Sequence, residues 1–184
     1  MLTSRTSRPK RIAIIGDSCS GKTTLAQTLG KNLGLKHVEL DSLFWEPNWK
    51  EAELDVFKNR IQEALAGNSW VVDGNFGKVR DVIWDRAELV VWLDFPLSKI
   101  LARFFMRSLK RSLKREVLWN GCRENLKNSI FQKNSLLMWI LKSNSRKRIE
   151  YSQLIRSNAY PSIDFRHLKS DADVRAFIHS LANG

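Results

Sequence analysis

The chain has 184 residues, 43% of them hydrophobic and 27% charged, with seven Trp and nine Phe. That is the length of one domain with enough apolar material for a core, which excludes a disordered chain and a large multi-domain assembly. The net charge of +12 is local: Lys99 to Arg148 carries 14 basic residues against only Glu116 and Glu124, and the rest of the chain balances, so a single polyanion site is expected rather than a diffusely basic surface. The longest apolar run, Leu136 to Leu141, is far short of a membrane span, and no apolar signal block follows the polar start, so a soluble, cytoplasmic protein without a membrane partner is expected. Two cysteines, Cys19 and Cys122, make neither a disulfide framework nor a four-thiolate zinc site, though counting alone leaves a bridge between the two open.

In chain order, Met1 to Arg11 reads as a frayed polar terminus, and Ile12 to Ile15 as a β-branched strand closed by Gly16. Leu25, Ala26, Leu29 and Leu33 then recur at helical spacing up to Gly34. Val38 to Leu40 reads as a second strand ending in Asp41. Leu54, Phe57, Ile61 and Leu65 mark an amphipathic helix with acids at its start. Trp70 to Val72 and Leu89 to Leu93 read as strands three and four, the latter followed by Pro96 at a helix start. Ile163 to Leu168 reads as a fifth strand. Ser170 with Asp173 caps a last helix whose apolar positions are Val174, Phe177, Ile178 and Leu181. Strands alternating with helices imply an α/β fold, a mostly parallel five-stranded sheet covered on both faces.

Gly16-Asp17-Ser18-Cys19-Ser20-Gly21-Lys22-Thr23 fits G-x-x-x-x-G-K-S/T between a predicted strand and a predicted helix. The chemistry needs each part: backbone N–H groups curl around phosphate oxygens, Lys22 neutralises β and γ charge, and the Thr23 hydroxyl ligates Mg²⁺. The stretch from Gly16 to Thr24 is therefore the expected nucleotide-phosphate site. Cys19 inside it reads as a filler residue.

The stretches IAIIGDSCSGKTTLAQTLG, HVELDSLFW, WVVDGNFGKVR, VVWLDFPLSKILARFFMRSLKR, NGCRENL and FRHLKSDADVRAF resemble the adenylate-kinase-related P-loop kinases, and more closely the group labelled FlaR-like or DNA topology modulation proteins. The resemblance covers nearly the whole chain from Arg11. It implies a P-loop NTPase sheet in the order 2-3-1-4-5, a single domain over residues 1–184 with a basic helical lid insertion at 97–150, and phosphoryl transfer from ATP, with Mg²⁺, to a small acceptor. Asp73 in VVDGNF matches an acid that can hold Mg²⁺ through water, or it is a turn aspartate. Where those kinases place a phosphate-binding arginine four residues later, this chain has Gly77, so a nucleoside monophosphate is a less secure acceptor.

Asp41 resembles the acid that small-molecule P-loop kinases set against the acceptor hydroxyl; an N-cap aspartate is the alternative. Phe44, Trp45 and Trp49 follow on a loop that can stack on an acceptor or pack in the core. Arg103, Arg107, Lys110, Arg111, Lys114 and Arg115 advance by threes and fours along one side of a helix, as lid cations would. Arg103 and Arg107 are the best placed of them, Arg146 and Arg148 resemble the returning lid arginines, and Arg123 is a further candidate. Ser170 and Asp171 stand where related kinases wrap backbone around adenine. His37, His167 and His179 lack metal-ligand spacing and read as structural.

Two functions fit. One is an ATP-dependent phosphotransferase; the other is a nucleotide-binding regulatory protein that grips nucleic acid through the basic 99–148 segment, with Trp119, Phe131 and Trp139 as stacking rings. The second has no recognised nucleic-acid-binding signature in its favour.

Overall fold

In the computed structural model, the described residues are 8–114, 116–122 and 135–183. Five strands form one parallel sheet: β1 (Arg11–Gly16), β2 (Lys36–Glu39), β3 (Trp70–Asp73), β4 (Leu89–Leu93) and β5 (Asp164–Leu168). Their order is β2-β3-β1-β4-β5, with every pairing parallel. This is the expected order 2-3-1-4-5. The segment between β2 and β3 also contains a two-residue hairpin, Trp45–Glu46 against Lys50–Glu51, which periodicity does not signal in so short a run.

Alternation along the strands builds two cores, because successive side chains leave a strand on opposite faces. Ala13, Ile15, Val72, Val90 and Trp92 lie on one face with Phe57 and Ile61 of α3 (Leu54–Ala64) and Ile83 and Trp84 of α4 (Arg80–Trp84). Ile12, Ile14, Val71, Val91 and Leu93 lie on the other. They pack with Leu25 and Leu29 of α1 (Lys22–Leu33), Ile100 and Phe104 of α5 (Leu97–Lys114) and Phe177 of α7 (Asp171–Asn183). The short helix α2 (Leu40–Phe44) follows β2 directly.

The helix α6 (Leu136–Arg156) is 21 residues long, about 30 Å at 1.5 Å per residue. Its first part puts Ile140 into one core and its last part puts Tyr151 into the other. It therefore crosses the carboxyl ends of the strands rather than lying along one face. The 97–150 stretch expected as a lid is thus partly core, since Ile100, Phe104 and Ile140 are fully buried.

Register brings the carboxyl ends together: Glu39 is level with Asp73, Ile14 with Asp73, and Gly16 with Leu93. Between β3 and β4 the chain leaves β1 at a topological switch point, where open α/β sheets bind ligands. Gly16 has φ +145°, and a Cβ there would sit 2.5 Å from the Leu93 carbonyl oxygen. Gly16→Ala is expected to cost about 2–4 kcal/mol, through clash and backbone strain together. Urea melts at constant m-value read this loss, and a midpoint within error of the parent would refute it.

Candidate active site

The P-loop begins where β1 ends. Ser20 N–H donates to the Asp17 carbonyl at 3.1 Å, and α1 follows its N-cap Gly21 with no side-chain cap and no acid in its first turn. The exposed positive end of the helix macrodipole therefore faces outward from the loop, ready for an anion. Asn75, just past β3, holds the loop from beside it: Gly16 N–H donates to its Oδ1 at 3.3 Å and its Nδ2 donates to the Gly16 carbonyl at 2.6 Å. The Tyr151 hydroxyl of α6 donates to the same Oδ1 at 2.9 Å.

A cleft of about 670 Å³ opens along this loop, lined by Ser18 to Thr24 of the P-loop and α1. Glu39, Asp41, Arg103, Arg107, Arg111 and Trp119 form another part of its wall, and Asp171, Val174, Arg175 and Ile178 bring α7 to it. That size accommodates a nucleotide and a small second molecule. Gly16 and Asp17 stand behind the lining. Asp17 is buried, and α6 satisfies it twice, with Asn144 Nδ2 donating to Oδ2 at 2.5 Å and Lys147 Nζ to Oδ1 at 3.3 Å. Burial pulls the Lys147 ammonium below its ordinary pKa, and the Asp17 charge opposes that pull.

Lys147→Ala leaves the Asp17 charge buried with one donor fewer, so a loss of about 3 kcal/mol is expected. A simultaneous Asp17→Asn should recover part of it, because the uncompensated charge is gone. Thermal melts of the two variants check this; equal melting points for Lys147→Ala and the parent would exclude it.

Lys22 Nζ folds back to donate to the Asp17 carbonyl at 2.8 Å. The Thr23 hydroxyl donates to Asp73 Oδ2 at 2.7 Å and lies 3.4 Å from Glu39 Oε1. An ionised carboxylate only accepts, so the hydroxyl proton points at Asp73 and the Thr23 lone pairs are left for a cation. Ser20 Oγ and Arg107 Nε are buried polar atoms with no partner among the described residues. Unsatisfied donors beside an uncapped helix start fit a phosphate, and the Thr23–Asp73 pair fits Mg²⁺ held partly through water.

Asp41 is placed not at a strand end but in the first turn of α2, where Leu40 is buried against Gly74. Gly74 has φ +150° and a Cβ there would come within 2.7 Å of the Leu40 Cβ. This close approach sets the α2 turn over the end of β3. The Asp41 carboxyl is raised to about 6, first by burial and then by the neighbouring Glu39 and Asp73 charges, against the opposing pull of Lys22 and Arg107.

The lid arginines divide. Arg103, Arg107 and Arg111, one turn apart on α5, line the cleft. Arg103 donates to the Ser20 carbonyl and to Asp171, each at 2.8 Å. Arg146 and Arg148, expected as returning lid arginines, are not brought to the cleft: Arg146 is exposed, and Arg148 Nε donates to Asp94 Oδ1 at 2.5 Å. The helix geometry explains this, because α6 presents Asn144 and Lys147 to the P-loop and turns its neighbours away. Ser170 does not line the cleft either; it caps α7 in reciprocal bonds with Asp173, as its spacing suggests. Arg115 and Arg123 lie outside the described residues.

Phe44, Trp45 and Trp49 pack on one another and on Phe57, Phe76 and Trp119 rather than lining the cleft. Trp119 is the ring of this group that reaches it. His167 is stacked on Trp92 with centroids 4.0 Å apart and bonds Asp94, a packing role. His37 differs from its structural expectation, since its Nε2 lies 2.6 Å from Asp73 Oδ1. Several cations of the basic segment are paired internally, Lys99 and Arg103 with Asp171, Lys147 with Asp17 and Arg148 with Asp94. The charge that suggested a nucleic-acid grip is to that extent already neutralised. No helix among the described residues is long and apolar enough to cross a membrane.

Sheet order and loop together define a P-loop α/β fold. Two solved structures share it. Shikimate kinase from Aquifex aeolicus vf5 is similar over 94% of this chain and 96% of its own, at 18% identity and a TM-score of 0.55. A gluconokinase from Sinorhizobium meliloti 1021 is similar over 95% of this chain and 93% of its own, at 17% identity and a TM-score of 0.52. At such identities the likeness is one of fold. No family model and no curated protein matches the chain. The neighbours bear out the P-loop fold and lend nothing to the FlaR-like or topology-modulation name.

Proposed function

We propose that the chain is an ATP-dependent phosphotransferase that moves the γ-phosphoryl group of Mg-ATP to a hydroxyl of a small acceptor. The observation that carries this reading is the convergence of Asp41, Lys22 and Arg107 in one cleft at the mouth of the P-loop. A carboxylate facing two cations across an open space suits a hydroxyl on one side and a phosphoryl group on the other.

In this reading the P-loop N–H groups from Ser18 to Thr24 and the α1 N-terminus hold the β- and γ-phosphates, and Lys22 swings from the Asp17 carbonyl onto them. Thr23 and Asp73 would hold Mg²⁺, which would supply positive charge against that of the phosphates. Asp41 orients the acceptor hydroxyl and takes its proton late, as the new O–P bond forms and the bond from the γ-phosphorus to the β–γ bridging oxygen breaks. Arg107 and Arg103 stabilise the charge spread over the transferring group. Asp171, Val174, Arg175 and Ile178 form the wall on which the nucleoside rests.

The acceptor is a small hydroxylated molecule, a class that contains the compounds named for the two neighbours, shikimate and gluconate. The test is ADP release from Mg-ATP across hydroxy acids, polyols, nucleosides and nucleoside monophosphates. Acceptor-stimulated release is the expected outcome. Absence of stimulation by every class, together with salt-sensitive DNA binding, would replace this reading with a nucleic-acid one.

A further inference from the structure

The chain His37, Asp73, Thr23 runs from the edge strand of the sheet to the P-loop. His37 Nε2 is 2.6 Å from Asp73 Oδ1, and Asp73 Oδ2 accepts from the Thr23 hydroxyl at 2.7 Å. His37 and Glu39, two residues apart on β2, leave the strand on the same face, the one α1 covers. The His37 Cβ lies 3.6 Å from where a Cβ on Gly30 of α1 would stand, so the imidazole is held between strand and helix. Asp73 is almost fully buried, whereas His37 keeps 22% of its side chain exposed.

A lone buried carboxylate can turn about its own bond and share its oxygens between donors. Here each oxygen has its own. Because a carboxylate only accepts, the ring hydrogen must sit on Nε2 and donate, which removes Oδ1 from competition and leaves Oδ2 for Thr23.

We propose that His37 is a positioning residue, whose hydrogen bond to Asp73 fixes that carboxylate so that Oδ2 and the Thr23 lone pairs are presented together to a divalent cation. This rests on the nucleotide reading above and adds a residue that the P-loop motif does not contain. Such outer-shell partners commonly change metal affinity by 10- to 100-fold when lost.

The experiment measures binding of a fluorescent ATP analogue in EDTA and then along a Mg²⁺ titration, for the parent, His37→Leu and His37→Gln. His37→Leu keeps the apolar volume and removes the donor; His37→Gln restores an N–H at similar reach. The expected result is a rise of about tenfold in the Mg²⁺ concentration at half-effect for His37→Leu, unchanged nucleotide affinity in EDTA, and partial recovery in His37→Gln. A merely structural role would lower melting temperature and EDTA affinity alike without moving the Mg²⁺ midpoint.

An unchanged midpoint in a folded His37→Leu overturns the proposal, as does a Gln variant no better than Leu. A parent protein that binds nucleotide with no Mg²⁺ effect overturns the metal role of Thr23 and Asp73, and one that binds no nucleotide overturns the functional reading itself. These outcomes are distinct from a failure confined to His37.

Discussion

Lys22→Ala is expected to lower acceptor phosphorylation by about 10³-fold or more, the scale of losing a preorganised charge at a transferring phosphoryl group. The ammonium sits on the Asp17 carbonyl at 2.8 Å, on the wall of the cleft, and in the proposed reading its loss would leave the γ-phosphate to the neutral N–H groups, the metal and the arginines of α5. Nucleotide affinity should fall less than turnover, because the loop N–H groups and the start of α1 are untouched. The fold should survive, since Lys22 makes one bond to a carbonyl that water can replace. Steady-state ADP release beside a melting curve separates these effects. Turnover within tenfold of the parent in a folded Lys22→Ala protein would remove Lys22 from the chemistry, and with it the phosphate site assigned to the loop.

Asp41→Asn is expected to do two things of opposite sign. Turnover should fall by about 10²–10⁴, the range for a lost general base, while nucleotide affinity stays near that of the parent. Stability should rise. The folded protein holds the Asp41 carboxyl at about 6 from an ordinary 3.8, chiefly by burial, so ionisation is disfavoured in the native state. Below the unfolded pKa both states are protonated and Asp41 imposes no penalty. Above the folded pKa the full penalty is present, so stability falls as pH rises through that window.

Removing the charge should therefore raise stability by on the order of 1–3 kcal/mol at pH 8, given 1.36 kcal/mol per unit and some screening by water in the cleft. At pH 4 the gain should nearly vanish. The parent's kcat/KM for the acceptor should show an acid limb at or below about pH 6, displaced downward by Mg²⁺, since a cation favours the ionised carboxylate. Paired melts at the two pH values and a pH–rate profile check the whole set. A destabilised Asp41→Asn protein at pH 8 would contradict the burial argument, and a normal rate would make Asp41 structural.

Much of the fold was legible because it rests on local signals. The apolar runs of β1, β3 and β4 are buried on both faces, as strands of a parallel sheet must be, and their limits fall within a residue or two of those read from the sequence. The P-loop was legible because its chemistry is contiguous. Asp73 stood out by its resemblance, yet its partner His37 did not, since the two are 36 positions apart and adjacent only through the β2–β3 pairing.

Val38 to Leu40 looks extended, which puts Asp41 at a strand end; in the fold Leu40 approaches Gly74 closely and opens the helix α2 instead. Arg148 fails as a lid cation for a similar reason, since its partner Asp94 is 54 positions away. Asn144 and Lys147 belong to no motif. Helical phase relative to Asp17 selects them, and the sequence does not state that phase.

The grip of α6 on the phosphate loop also bears on how the site is made. Gly16 is tied to Asn75, Asn75 to Tyr151, and Asp17 to Asn144 and Lys147, so the loop acquires its native neighbours only through contacts of very long sequence separation. During synthesis the first strand and the motif precede their α6 partners by a long way, since Asn144 and Lys147 follow Asp17 by 127 and 130 positions. The last sheet strand, β5, follows later still and pairs with β4 at Leu89 to Leu93. Contacts of this order are slow to form, because loop closure must precede them. The site built around the motif is thus a late event in folding, and a nascent chain that has not yet delivered α6 carries the motif without the site.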